Sequence, residues 1–112
     1  MSAIKISITT QCRDGEKAIF AYVRSKDAKL ACHPNIVGDG FDETAWVITH
    51  LPTGRQVNPS RTRSMETALA LIDSYCGLSD WSLDRDDFDA MRALQAKVEK
   101  TFDAFCESLN VA

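Results

Sequence analysis

Cysteine, histidine, arginine and aspartate are the side chains with which this chain of 112 residues could do chemistry. Cys12, Cys32, His33 and His50 form the set that would hold zinc or build a thiol–imidazole nucleophile. Zinc sites draw on close pairs such as C-x-x-C or H-x-x-x-H, and Cys12, Cys32, Cys76 and Cys106 are far apart and make no such pair. Cys32 and His33 are adjacent, and neighbouring side chains on a strand point to opposite faces. A Cys–His dyad built from distant positions stays open on sequence grounds. His50, however, shares a predicted strand face with Trp46 and Ile48, and a structural role is the expectation for the whole set. The chain has no G-x-G-x-x-G, Walker loop, H-E-x-x-H or G-x-S-x-G, the signatures of nucleotide, zinc-protease and hydrolase sites. No catalytic residue, cofactor or metal is expected.

Two charged runs remain. Arg55, Arg61 and Arg63 fall in a stretch without an acid and lead into a predicted helix start at Ser64. Guanidinium forks beside exposed helix N–H groups suit an anion, either a phosphate or a carboxylate-rich protein surface. The plainer reading is a solvated loop whose arginines pair with acids of the other helix, and it carries more weight. The second run is Asp80, Asp84, Asp86, Asp87 and Asp89 around Arg85. It would dock on a basic, nucleic-acid-binding surface of another protein. For a hard cation it lacks the glycine and terminal glutamate of an EF-hand loop. Helix capping and solubility are again the plainer roles. The expected partner-binding residues are Asp84, Asp86, Asp87, Asp89, Arg55, Arg61 and Arg63.

The length fits one domain spanning residues 1–112, with enough chain for a real core. An apolar content of 45% and a charged content of 26% are globular averages and argue against long disorder. A net charge of −3 is too small for whole-protein attraction to nucleic acid or for an acidic DNA mimic. The aromatic residues fall at predicted core positions rather than among lysines and arginines, which leaves a single-strand-binding platform unsupported. Direct nucleic-acid binding is not expected. No apolar run reaches the roughly 20 residues of a membrane span, and Met1–Ile6 lacks the pattern of a signal peptide. A cytoplasmic protein with reduced thiols is the expectation.

The elements that would position these residues follow from periodicity. Ile4, Ile6 and Ile8 alternate with Lys5, Ser7 and Thr9, the period of a strand with one buried face. Asp14-Gly15 turns the chain, and Lys17–Arg24 returns with Ile19, Ala21 and Val23 on one face and Phe20 and Tyr22 on the other. Two apolar faces mark this as a central strand. Ala28–Cys32 gives a short third strand that His33-Pro34-Asn35 ends, and residues 33–44 read as the most loop-like stretch. The run Trp46–His50, the turn Pro52-Thr53-Gly54 and the return Arg55–Asn58 form a hairpin ended by Asn58-Pro59-Ser60. Ser64 caps a helix whose stripe is Met65, Ala68, Leu69, Ile72, Tyr75 and Cys76, and Gly77 closes it in the left-handed region, with Leu78 packing on Ile72. Asp84 caps a last helix, with Leu83 and Phe88 as its staple. Met91, Leu94, Val98, Phe102, Phe105 and Leu109 step along it over a length on the order of 35 Å.

The run Trp46–Gly54, followed by a helix containing Ala68-Leu69-Ala70, resembles small accessory proteins of phages, plasmids and genomic islands, a class that includes anti-CRISPR inhibitors. That resemblance implies a stoichiometric protein-binding role and transfers no catalytic residue. The expected fold is α+β, an antiparallel sheet of four or five strands with two helices packed on one face and the C-terminal helix long. The expected function is non-enzymatic binding of a larger bacterial protein or nucleoprotein complex by surface occlusion, with inhibition of a defence complex as the expected outcome. The alternative is a small anion- or nucleic-acid-binding module using the Arg55–Arg63 stretch and the following helix N-terminus. The apolar face of the last helix also predicts a homodimer.

Overall fold

The computed structural model describes residues 3–12, 15–37, 40–79, 81–83 and 87–111, with side chains at all of these except 10–12, 17, 88, 110 and 111. Five strands and then two helices follow one another: β1 (Ile4–Cys12), β2 (Gly15–Val23), β3 (Leu30–Val37), β4 (Gly40–His50), β5 (Arg55–Thr62), α1 (Met65–Cys76) and α2 (Phe88–Val111). The strands form one antiparallel sheet in the order β1-β2-β3-β4-β5. This is the expected α+β fold, with both helices packed against the sheet.

Strand alternation divides the sheet's side chains between two faces. Leu30, Cys32, Ile48 and Val57 join Ala68, Leu69, Leu71, Ile72 and Tyr75 of α1 and Leu94 and Val98 of α2 in the main core. Burying each large aliphatic side chain there contributes about 1.5–3 kcal/mol. The opposite face has its own cluster, Ala21, Val23 and Ala31, with Ile4, Ile6, Ile8 and Leu51 against it and no helix residue in it. The sheet covers this face by curling, which brings β1 towards β5. Small residues such as Ala21, Ala31 and Ala45 make room on that inner side, where all are buried.

Several local expectations change. Residues 33–37 and 40–44 are strand: β3 runs through Pro34 to Val37, and β4 starts at Gly40. A register shift between Pro34 and Asn35 accommodates the proline, which has no N–H to give a ladder. Likewise β5 passes through the cis Asn58–Pro59 bond to Thr62, with a shift opposite Trp46–Ile48. The Ser60 hydroxyl there accepts the Ile48 N–H, replacing a backbone partner.

Ser64 caps α1 as expected, its Oγ accepting from the Thr67 N–H. Leu71 is fully buried and Cys76 exposed, so the stripe lies slightly to one side of the expected one. Gly77 is right-handed, with φ −74°, and the non-glycine residue with positive φ among those described is Trp81, at 60°. Trp81 is held from three sides. Its N–H donates to Ser79 Oγ, its indole N–H donates to the Tyr75 carbonyl at 2.8 Å, and its carbonyl accepts from His50 Nε2 at 2.7 Å. A left-handed non-glycine conformation costs on the order of 1–3 kcal/mol, which these bonds and the burial of the indole offset. Leu78 packs on the main core. The helix α2 starts at Phe88, with the Asp87 carbonyl accepting from Met91 N–H. The Asp84 cap and the Phe88 side of the staple lie outside the described residues; Leu83 packs on the main core.

His33 is buried on the curled face, its Nδ1 against the Pro34 carbonyl and its Nε2 against Thr49 Oγ1 at 2.7 Å. A carbonyl only accepts, so Nδ1 carries the proton and Nε2 accepts from the threonine hydroxyl. Burial holds the imidazole below its usual pKa and keeps it neutral.

Two predictions test this packing. Leu71→Ala should cost about 2–5 kcal/mol in denaturant unfolding; a loss below about 1 kcal/mol would show that the α1 face is not in the core. The second concerns pH. Below a pH of about 6.5 the unfolded chain protonates its histidine while folded His33 does not, so stability falls with falling pH, by at most about 1.4 kcal/mol per unit. That decline continues until the lowered folded pKa is reached. His33→Gln should therefore flatten the stability profile just below about pH 6.5; parallel profiles for variant and wild type would contradict a buried neutral imidazole.

Candidate functional site

Between β2 and β3 the sheet opens. The two strands share a single paired position, Tyr22 with Cys32. Continuing that antiparallel register would set Phe20 opposite Pro34, whose nitrogen bears no hydrogen. The strands part there instead. The result is a groove of about 530 Å³, walled on one side by Lys5, Phe20 and Tyr22 and on the other by Pro34, Phe41 and Trp46. Its volume is in the range of ligand and peptide pockets, about 300–1,000 Å³.

Large apolar side chains stand in water around this groove. Phe20 is 62% exposed and Phe41 is 55% exposed. Tyr22 and Trp46 form a tilted aromatic pair with centroids 5.9 Å apart. The Trp46 indole N–H donates to the Glu43 carbonyl, which sets the ring against the groove wall. The Lys5 ammonium lies 4.5 Å from the centre of the Phe20 ring, a cation–π contact.

One acidic residue, Glu43, lines the rim on the β4 side because of the β3–β4 register shift. Asn35 pairs with Asp42 and Pro34 with Trp46, so Glu43, Thr44 and Ala45 have no opposite residue in β3. Ala45 turns inward and is buried, whereas Glu43 is exposed and lines the groove. Asp42 is engaged: the Thr44 hydroxyl and N–H both donate to it, and with the charge of Arg61 they hold its carboxyl below the usual range. The Glu43 carboxylate makes no hydrogen bond or ion pair among the described residues.

The residues singled out in sequence are placed apart from this groove and from one another. Arg55 opens β5, pairing with His50, beside a small cleft that Met91, Leu94 and Gln95 of α2 also line. Arg61 and Arg63 lie at the other end of β5. There they border a cleft of about 450 Å³ with Thr67, Phe105, Cys106 and Leu109. β5 is an eight-residue strand with Arg55 at its first position and Arg61 at its last but one, so the three arginines are not one cluster. In the acidic run Asp84 and Asp86 lie outside the described residues, Asp87 is half-buried at the start of α2, and Asp89 is exposed.

Cys32 and His33 face opposite sides of the sheet, as alternation requires. Burial pushes the Cys32 thiol up to about 12, which keeps it protonated. His50 is spent on Thr53 and the Trp81 carbonyl. Among the described residues no three Cys, His, Asp or Glu side chains are grouped to hold a metal. On α2, Leu94 and Val98 are buried in the main core, Phe102 and Phe105 pack on it, and Leu109 is exposed. The surplus apolar surface for a second copy is therefore confined to the end of the helix. No helix is long and apolar enough to cross a membrane among the described residues.

The groove aromatics are the feature missed in sequence, where Phe20, Tyr22 and Trp46 read as core. Two signals pointed to it: β2 carries apolar groups on both faces, and Pro34 stands where a central strand would need an N–H. Comparison with family models, with curated proteins and with solved structures found no match to this chain.

If the two phenylalanines belong to a surface site and not to the core, Phe20→Ser and Phe41→Ser should each change unfolding free energy by less than about 1 kcal/mol. A loss of several kcal/mol in either variant, measured by denaturant titration, would place that ring in the core.

Proposed function

We propose that this protein is a non-enzymatic binding protein that docks on a larger protein or nucleoprotein complex and acts by covering its surface. The observation that carries this reading is the pair of exposed rings, Phe20 and Phe41, flanking an open aromatic groove. Water-exposed aromatic clusters of this kind are disfavoured unless a partner covers them, and buried aromatic anchors dominate binding energy at protein interfaces. Asp87 and Asp89 at the start of α2 add charge that would steer a basic partner, together with Asp84 and Asp86. A standard interface of about 800 Å² per partner is within reach of a protein of this size. The resemblance of Trp46–Gly54 and the following helix to phage and mobile-element accessory proteins makes a bacterial defence complex the target class, with inhibition by occlusion.

A second reading takes Arg61 and Arg63, exposed at the mouth of their cleft beside the start of α1, as an anion or nucleic-acid site. One experiment separates the two. Tagged protein is used to capture partners from bacterial lysate across a salt series, alongside the Phe20→Ser/Phe41→Ser and Arg61→Ala/Arg63→Ala double variants. The proposal predicts a specific protein partner retained at moderate salt and lost, by at least about tenfold (about 1.4 kcal/mol), with the phenylalanine variant alone. Retention by the phenylalanine variant with loss in the arginine variant, and a steep fall with salt, would replace it with the second reading.

A further inference from the structure

Resting on that protein-binding reading, we infer that the groove between β2 and β3 takes an extended segment of the partner, which pairs as an added strand with the open edge of β2 and places a basic side chain against Glu43. Three independent features select this occupant. The first is the edge itself. From Gly15 to Ala21, β2 pairs with β1 on one side, and its pairing with β3 begins only at Tyr22. A strand edge of this kind presents backbone N–H and C=O groups in register for another chain.

The second feature is the pattern of side chains over that edge. Ala18, Phe20 and Tyr22 alternate onto the groove side of β2, and Pro34, Phe41 and Trp46 stand across from them. An extended segment sends alternate side chains to each face of a sheet, so its groove-side residues would meet aromatic walls at every second position. A folded helix, about 10 Å across with its side chains, offers the β2 edge no backbone partner.

Charge is the third. Of the groove's two charged side chains, Lys5 is engaged over the Phe20 ring, while Glu43 makes no ion pair or hydrogen bond among the described residues. An arginine of the incoming segment would stack on an aromatic wall and offer its fork to the Glu43 carboxylate. An acidic segment, or the phosphates of a nucleic acid, would meet that carboxylate as a like charge. A single-stranded nucleic acid stacked on the same rings is therefore disfavoured and becomes an outcome of the test.

The probe is a set of random twelve-residue peptides displayed on phage and selected against the intact protein. The enriched sequences are then synthesised with and without backbone N-methylation at alternate positions. The inference predicts peptides bearing arginine or lysine, and binding weakened at least tenfold by Glu43→Gln and by N-methylation on one of the two alternating sets of amides. It also predicts slowed hydrogen exchange of backbone amides within Gly15–Ala21 on binding. Enrichment of no peptide, of acidic peptides, or of peptides that tolerate both N-methylated sets and Glu43→Gln would overturn it. So would an oligothymidine that binds in their place and loses binding in Phe20→Ser. The lysate capture above judges the protein-binding reading separately: a partner still lost with the Phe20→Ser/Phe41→Ser variant would preserve that reading while this inference fell.

Discussion

Pro34 has no amide hydrogen to contribute, and it stands where β2 would otherwise continue its pairing with β3. Much of the surface follows from that one absent donor. The β2 and β3 ladders separate beyond Tyr22 and Cys32, so the β1–β2 hairpin and the outer arm of β3–β4 lie on either side of a groove. The register shift at the same proline leaves Glu43 to Ala45 unopposed and puts an acidic side chain on the rim. Phe20 and Phe41, which a continuous sheet under a helix would cover, remain in water.

The remainder of the sheet is buried by two different means. Over β3, β4 and β5 the cover is helical, with Leu71, Ile72 and Tyr75 of α1 and Leu94 and Val98 of α2 closing on Leu30, Ile48 and Val57. On the other side the cover is the sheet's own curl, filled by small residues and by the isoleucines of β1. Trp81 joins the pieces. Its indole packs beside His50 and Tyr75, its backbone accepts from His50, and its ring N–H ends α1 by bonding the Tyr75 carbonyl. The Arg24–Asp73 ion pair ties β2's end to α1 from the exposed side, with two guanidinium bonds to one carboxylate. An exposed pair of this kind adds little stability, though it orients the contact.

The sequence made the fold class legible because its strongest signals are local ones. The isoleucines of β1, the Ser64 cap and the helical stripes of α1 and α2 each have a local cause, and the structure keeps them, with the α1 stripe displaced so that Leu71 is buried and Cys76 exposed. Prolines in the sequence suggest strand ends that the structure does not have. Pro34 and Pro59 do remove ladder donors, but a strand can pass through them when a bulge or a serine hydroxyl takes over the orphaned partner, as Ser60 does for Ile48. Residue type points to Gly77 as the left-handed residue after α1, whereas tertiary hydrogen bonds hold Trp81 in that conformation. The groove was hidden for a related reason. An aromatic on a strand reads as core until it is known which strands diverge, and divergence depends on pairing between residues distant in sequence. The arginines looked like one patch because they are close in sequence, yet an extended strand carries Arg55 well away from Arg61 and Arg63.

On the proposed function, the partner sits on the aromatic side of the β2–β3 opening. Site-specific photocrosslinking is the test, with p-benzoylphenylalanine placed at Phe20, at Phe41, at Asp89 and at Glu107, which is exposed near the end of α2, in cells that contain the partner. Crosslinks from positions 20 and 41 to one and the same protein, with none from position 107, are the result this structure predicts. Crosslinks confined to positions 89 or 107, with positions 20 and 41 silent, would contradict it.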